Sequence, residues 1–411
     1  MSRSIVVVGA GLAGLRAVEQ LRGAGWSDPI TVLGTEDHLP YNRPPLTKAA
    51  LKGGVDPTAL AFRRRPTTED VEWRLGVTVT SADLDGRSVT LQDGSTLGFD
   101  GLVAASGVSS RRLDLAAPQH WRHAIRTVED AHALHQQLRP GARVVIVGAG
   151  FIGCEVAATA VGIGCSVTVV EPFAVPLERQ VGPVVGAEIR RRHEEHGVRF
   201  HLGRVVVAME GDPAAGPSEV VLDDGTRLPA DVVVEAVGSI ANTAWLEGQG
   251  LDLSNGVLCD LDLHPLRSGV PVPHVVAVGD VVRFPVPMSG ALHRIEHWTM
   301  PTDMAGHAAR SLLAGIGGAA LEGPPFFPIP TFWSEQYGVR IQSFGLPALG
   351  LDDVRVLEGD LRSEGVVGFH RDGVLVGVVL FGMGKQMVTY RQKLVEETRA
   401  AGADLTGGAV R

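Results

Sequence analysis

The same spacing of glycines occurs twice, at Gly9-Ala-Gly11-Leu12-Ala13-Gly14 and at Gly148-Ala-Gly150-Phe151-Ile152-Gly153, about 140 residues apart. Each copy follows a buried-strand run, Ile5-Val6-Val7-Val8 or Val144-Val145-Ile146-Val147, and each leads into a helical pattern. In that setting the first glycine turns the chain out of a strand and the second lets backbone amides close on a pyrophosphate. The third lets the helix pack on the sheet, and the helix N-terminus then faces the anion. One such trio says little in a chain with 52 glycines. Two of them, each between a strand run and a helix, confine the chain to folds that hold a pair of dinucleotides.

The likeness between the halves continues beyond the glycines. Asp93-Gly94-Ser-Thr-Leu97 followed by Asp100-Gly-Leu-Val103 matches Asp224-Gly225-Thr-Arg-Leu228 followed by Asp231-Val-Val-Val234. Each Asp-Gly reads as a hairpin turn, and each following apolar run as a strand returning to a parallel sheet. The small-residue breaks Ala105-Ser106-Gly107 and Ala236-Val237-Gly238 then read as crossings between domains. A third apolar run, His274-Val-Val-Ala-Val-Gly279-Asp280, comes after the second half has closed and completes the first sheet. The expected fold is α/β, with two Rossmann-like domains, the second inserted in the first, and a C-terminal α+β domain. The expected boundaries are 1–115 and 240–320 for the first nucleotide domain, 116–239 for the second and 321–411 for the last. In that last part strands are expected around Phe332 to Ser343, Arg355 to Glu358, Gly365 to His370 and Leu375 to Phe381. A helix over Lys385 to Arg399 and a disordered Gly-rich end follow.

The chain of 411 residues is 45% apolar, ample for several cores. It opens almost at once on a core strand, has no leader pattern and contains no apolar run long enough to span a bilayer, so the expectation is a soluble, cytoplasmic protein with no membrane role. Cys154, Cys165 and Cys259 form no close pair, and Cys154 reads as a small core residue. A net charge of −9 speaks against nucleic acid as a partner.

A carboxylate that closes the second strand of a dinucleotide-binding unit takes the hydroxyls of the adenosine ribose. Glu171, after Ser166-Val-Thr-Val-Val170, stands there. Hydrogen bonds to a buried carboxylate contribute about 1.5–3 kcal/mol each, and a 2′-phosphate would meet repulsion of about 4 kcal/mol, so NADH is favoured over NADPH. In the first unit the equivalent position is Gly34, and Glu36 is the nearest carboxylate.

With these residues in view, the chain resembles the FAD-dependent, NADH-oxidising ferredoxin reductases of the putidaredoxin reductase and biphenyl dioxygenase reductase type. The resemblance rests on Tyr41-Asn-Arg43-Pro-Pro-Leu-Thr-Lys48, on Gly153-Cys-Glu155-Val-Ala-Ala and on Ala277-Val-Gly279-Asp280. It continues through Arg294-Ile-Glu296-His297-Trp298 and Phe332-Trp333-Ser334-Glu335-Gln336-Tyr337. It implies that FAD is held by Gly9, Gly11, Leu12, Ala13, Gly14, Glu36, Arg43, Lys48, Ser106, Gly107, Asp280, His297 and Trp298. It implies that NADH is held by Gly148, Gly150, Phe151, Ile152, Gly153, Glu171 and Gly238. Lys48 and Glu155 would pair beside the reactive edge of the isoalloxazine, near N5, where a cation favours the reduced flavin. Trp333 would lie close to the flavin, stacking with the nicotinamide or helping the electron outward, and Trp298 would lie along the pyrimidine end.

The implied activity takes hydride from NADH and passes single electrons to a [2Fe–2S] ferredoxin that serves a monooxygenase or ring-hydroxylating dioxygenase. The ferredoxin would be acidic and transiently bound, with Arg310, Lys385, Arg391 and Lys393 as candidate contacts on a monomer or weak dimer. A rubredoxin partner stays open. Disulfide reductases and NADH oxidases or peroxidases need a thiol at the flavin. An NADH-sensing protein of the apoptosis-inducing-factor type shares the architecture.

The chain departs from the family pattern at Ser106-Gly107-Val-Ser-Ser-Arg111, which lacks the usual proline. His293-Arg-Ile-Glu296-His297 satisfies a zinc-peptidase pattern that would need a helix, but lies within the flavin-binding segment, and no metal site is expected. Arg190-Arg191-Arg192, next to Glu194 and Glu195, reads as an exposed helix face.

Overall fold

The structure, a computed structural model, describes residues 3–54, 56–212 and 214–400. The Gly-rich end expected to be disordered lies outside the described residues. Ile5–Val8, Ile30–Leu33, Glu72–Arg74, Gly101–Ala104 and Val275–Ala277 form one five-stranded parallel sheet. Val275–Ala277 comes from beyond the second nucleotide unit, as the isolated Val-rich run required. Continuous burial of Val and Ile along these strands is the pattern of a parallel sheet covered on both faces. The second parallel sheet runs Arg199–Leu202, Ser166–Glu171, Arg143–Val147, Val232–Glu235 and Arg122–His123.

Both Asp-Gly turns close antiparallel pairs, Ser88–Leu91 with Thr96–Gly98 and Gly216–Leu222 with Arg227–Pro229. The two expected crossings lie side by side. Val108–Ser110 and Ser239–Ala241 pair antiparallel, so the chain leaves and re-enters the first half along one narrow ribbon.

The C-terminal sheet is antiparallel, in the order Thr331–Gln336, Val339–Gly345, Val374–Phe381, Gly365–Arg371, Val354–Gly359, with the helix Met387–Ala400 following. The stretch expected as strand from Phe332 to Ser343 is two strands. Tyr337 and Gly338 both take positive φ, 52° and 75°, and make the two-residue hairpin turn whose twist suits flanking strands. A tyrosine in the left-handed region gives no turn signal in the sequence, which is why the break was not expected.

The arginine cluster differs from expectation as well. Arg190 and Arg191 pair with Glu194 and Glu188 on the helix Glu178–Glu195. Arg192, however, donates to the carbonyls of Leu361 and Ser363 at 2.8 Å and lies over the Phe381 ring. It fastens the second nucleotide unit to the C-terminal sheet. No helix among the described residues is long and apolar enough to cross a membrane.

Candidate active site

The two fingerprints build the same local geometry. A Cβ on Gly9 would come within 2.0 Å of the Ala105 carbonyl oxygen, and one on Gly148 within 2.4 Å of that of Ala236. A Cβ on Gly14 or Gly153 would strike the carbonyl oxygen of Gly9 or Gly148 at 2.0 Å. Gly11 and Gly150 have nothing within 4 Å. The outer glycines are thus demanded by the protein's own packing. The middle ones face open space at the N-termini of Leu12–Gly23 and Phe151–Ile163, where an anion is favoured.

The surroundings differ. The first fingerprint opens into a cavity of about 950 Å³, at the upper end of the usual range of about 300–1,000 Å³ for small-molecule sites. Of the residues expected around the flavin, Gly9, Gly11, Leu12, Ala13, Glu36, Arg43, Lys48, Ser106, Gly107, Asp280, His297, Trp298, Glu155 and Trp333 line it. Gly14 packs behind them. Phe151 and Ile152, expected at the nicotinamide dinucleotide, line the same cavity, whereas Gly148, Gly150, Gly153, Glu171 and Gly238 lie outside it. Phe151 therefore links the second fingerprint to the cavity, its ring centre 4.5 Å from that of Phe332.

Lys48 and Glu155 meet as the motifs implied. Lys48 Nζ lies 2.6 Å from Glu155 Oε2. Glu155 is one turn inside the helix that starts at the second fingerprint, which carries it from the second unit to the edge of the first. Thr47 Oγ1 donates to the same carboxylate at 2.6 Å, and Thr159, one helical turn on, donates to the Thr47 carbonyl at 2.8 Å. Glu155 is buried and Lys48 partly so. Removing one member of such a pair costs about 3–5 kcal/mol, because the other is left uncompensated.

Trp298 and Trp333 meet edge to face with ring centres 5.3 Å apart. Trp298 Nε1 donates to Asn42 Oδ1 at 3.1 Å, and the Arg340 guanidinium lies 5.4 Å from the centre of the Trp333 ring. Glu36 accepts from the Tyr41 hydroxyl at 2.5 Å and from Arg43, which also reaches the Arg126 carbonyl. Arg126 Nη2 in turn lies 3.2 Å from Asp280 Oδ2. Tyr41, Thr47 and Arg126 were missed as cavity residues. The first two stand inside the Tyr41–Lys48 motif that drew attention to Arg43 and Lys48; Arg126, between a strand and the capped helix Val128–Gln137, carries no motif at all.

Outside the cavity, Glu171 closes its strand as expected. Its carboxylate accepts from the amide of Ala149, inside the second fingerprint, at 2.5 Å and from that of Phe173 at 3.1 Å.

The residues fit FAD. Gly11 leaves open a cradle at a helix N-terminus, Asp280 offers a carboxylate, and the buried His297 Nδ1 has no hydrogen-bond partner. Burial pushes His297 down to about 4, so its ring is neutral at pH 7. All three cysteines are free and buried, and none lines the cavity; burial pushes the Cys154 thiol far above its usual range. His293 lies in the strand Ala291–Arg294 and Glu296 pairs with Arg294 at 2.9 Å, so the zinc-like pattern has no helix to sit on.

Residues 3–305 match the pyridine nucleotide-disulphide oxidoreductase family model and residues 331–410 the reductase C-terminal model. The chain belongs to the pyridine nucleotide-disulphide oxidoreductase family. It is 36% identical over 408 residues to the ferredoxin–NAD(+) reductase component of the anthranilate 1,2-dioxygenase system of Burkholderia cepacia, covering 97% of this chain and 94% of that one. It is 33% identical over 403 residues to putidaredoxin reductase of Pseudomonas putida, covering 94% and 92%. The fold matches that of putidaredoxin reductase in its covalent complex with putidaredoxin with a TM-score of 0.87 at 30% identity, covering 96% of this chain and 93% of that chain.

Proposed function

We propose that this protein is an NADH-dependent ferredoxin reductase that keeps FAD in the cavity beside the first fingerprint and takes NADH at the second. The observation that carries this reading is the Lys48–Glu155 pair, its carboxylate buried, at a cavity that no cysteine lines. Without a thiol there, a family named for disulphide chemistry is left with electron transfer outward. When bound, FAD supplies the conversion of a two-electron donor's reducing power into single electrons.

The chain's own residues bind and orient. Gly9, Gly11, Leu12, Ala13 and Gly14 present the first helix N-terminus to the pyrophosphate, with Ser106 and Gly107 beside them. Glu36, held by Tyr41 and Arg43, offers its carboxylate to the adenosine ribose, and Asp280, held by Arg126, to the ribityl chain. His297 and Trp298 bound the pyrimidine end. Lys48 brings a positive charge to the reactive edge, and Glu155 keeps it placed. At the second site Gly148, Gly150 and Gly153 take the NADH pyrophosphate, Phe151, Ile152 and Gly238 flank it, and Glu171 takes the ribose. The domain division we infer is 1–115 with 240–320 for FAD, 116–239 for NADH and 321–411 as a C-terminal α+β interface domain.

The acceptor is a [2Fe–2S] ferredoxin that docks transiently on a cytoplasmic monomer or weak dimer. Arg310, Lys385, Arg391 and Lys393 are all exposed. On the helix Met300–Gly317, which borders the cavity, burial pushes the Asp303 carboxyl up, and the charge of Arg391 opposes that rise. An acceptor panel with NADH tests the reading. Turnover with [2Fe–2S] ferredoxin should exceed that with rubredoxin, oxygen, peroxide or disulfides by at least an order of magnitude; a preference for oxygen or a disulfide would overturn it.

A further inference from the structure

Ser334 and Gln336 occupy the inward face of the strand Thr331–Gln336, alternating with Trp333 and Glu335, and both are buried. Buried polar side chains on a strand face usually give way to apolar ones unless every group finds a partner. Here each does, and the partners form a single line. Tyr337 O–H meets His193 Nδ1 at 2.8 Å, and His193 Nε2 meets Gln336 Oε1 at 2.9 Å. Gln336 Nε2 donates to Ser334 Oγ at 3.0 Å, and Ser334 Oγ donates to Glu155 Oε1 at 2.8 Å.

The direction is set by chemistry. Gln336 Oε1 can only accept, so His193 Nε2 carries its proton and Nδ1 accepts from tyrosine. Every donor in the line therefore points toward Glu155. His193 is fully buried, and burial pushes it down to about 4, so it stays neutral as this order requires. The outer end is fixed by His196, whose ring stacks on Tyr337 with centres 3.7 Å apart. The line draws on three parts of the chain: the second nucleotide unit's long helix, the C-terminal sheet and the helix of the second fingerprint.

We propose that Ser334, Gln336, His193 and Tyr337 act as positioning residues, a one-way string of donors that holds the Glu155 carboxylate and leaves more of the Lys48 charge directed at the flavin edge. The amide in the middle passes no proton, so the string orients and polarises and is not a proton path. By donating to Glu155 Oε1, the oxygen that does not face Lys48, it reduces the neutralisation of Lys48 and favours the reduced flavin. The inference rests on FAD occupying the cavity beside Lys48.

The test compares His193→Phe with His193→Gln in the FAD-loaded protein. Phe keeps the ring's bulk and loses both polar ends; Gln keeps a donor where Nε2 stood and loses the ring. The readout is the midpoint potential of the bound flavin measured against a redox dye, which uses neither NADH nor ferredoxin. The string predicts that His193→Phe shifts the flavin equilibrium about tenfold toward oxidised, about 30 mV lower for two electrons, and that His193→Gln stays within about twofold of the parent. Ser334→Ala, at the inner end, should shift it as Phe does, and it serves if His193→Phe does not hold FAD. A potential unmoved in both His193→Phe and Ser334→Ala, or moved equally by Phe and Gln, would overturn the proposal. A parent protein that binds no FAD would refute the cofactor reading itself, which keeps the two failures apart.

Discussion

The two glycine fingerprints share glycine spacing, strand–turn–helix setting and packing to within a few tenths of an ångström, yet they look onto different surroundings. The first opens on a deep cavity whose walls come from both nucleotide units and the C-terminal sheet. The glycines of the second lie outside that cavity, which only Phe151 and Ile152 of that fingerprint reach, and the Glu171 carboxylate is laid across its own loop. A shared motif specifies how a pyrophosphate is gripped. What surrounds the grip decides whether the dinucleotide stays or exchanges. In the proposed reading FAD is a resident group and NADH a visitor, and Phe151 and Glu155, on the helix between them, serve both.

The strongest way to break this comparison is to fill the middle glycines, since neither position is crowded by protein. Gly11→Leu should fold and lose its FAD, falling from one per chain to less than about a tenth. Gly150→Leu should keep its FAD and lose more than about 100-fold in affinity for NADH, roughly 2.7 kcal/mol or more. Absorbance at 450 nm and anaerobic NADH titration check both; loss of FAD from the second variant would make the two sites one. Glu171→Ala sharpens the same contrast, with NADH binding weakened about 10- to 100-fold, or about 1.5–3 kcal/mol, and FAD content unchanged. Lys48→Ala should lower the flavin potential and slow NADH-driven bleaching about tenfold at saturating NADH, with FAD still bound. Stopped-flow reduction at the parent rate would refute a role for this lysine.

Smaller effects separate the halves by pH and by salt. Burial holds His193 and His297 near pKa 4 in the fold against 6.5 when unfolded. The unfolded chain therefore binds more protons between about pH 6.5 and 4, and stability present above pH 6.5 is lost as pH falls through that window, by up to about 3 kcal/mol for each ring. Neighbouring His196 adds to the effect at His193. Thermal melts should steepen their decline below pH 6.5, and His193→Gln should flatten it. Ferredoxin-dependent turnover should fall several-fold as salt is raised, while NADH reduction of FAD barely changes, because the proposed docking acts through exposed charges over about 8–10 Å.

Much of this was legible in the sequence for a physical reason. Glycines forced by close contacts, β-branched runs and Asp-Gly turns are local signals, and they marked both sheets, both crossings and the strand that returns from residue 275. The Lys48–Glu155 pair was legible only through motif resemblance, since 107 positions separate its members and no local rule joins them. Arg126, which bonds Asp280, carried no signal, and Arg192, which clamps the C-terminal sheet, read with its neighbours as an exposed face; an arginine's partner is decided by tertiary packing. The Tyr337–Gly338 turn was hidden because tyrosine seldom takes positive φ. Here its hydroxyl is held by His193 and its ring by His196.

The most direct measurement of the central claim is anaerobic stopped-flow reduction of the purified yellow protein with NADH and NADPH in parallel. One FAD per chain should bleach with NADH at least ten times faster than with NADPH at equal concentrations. Equal rates with the two donors, or a flavin that neither reduces, would contradict the assignment of the second fingerprint and Glu171 to NADH.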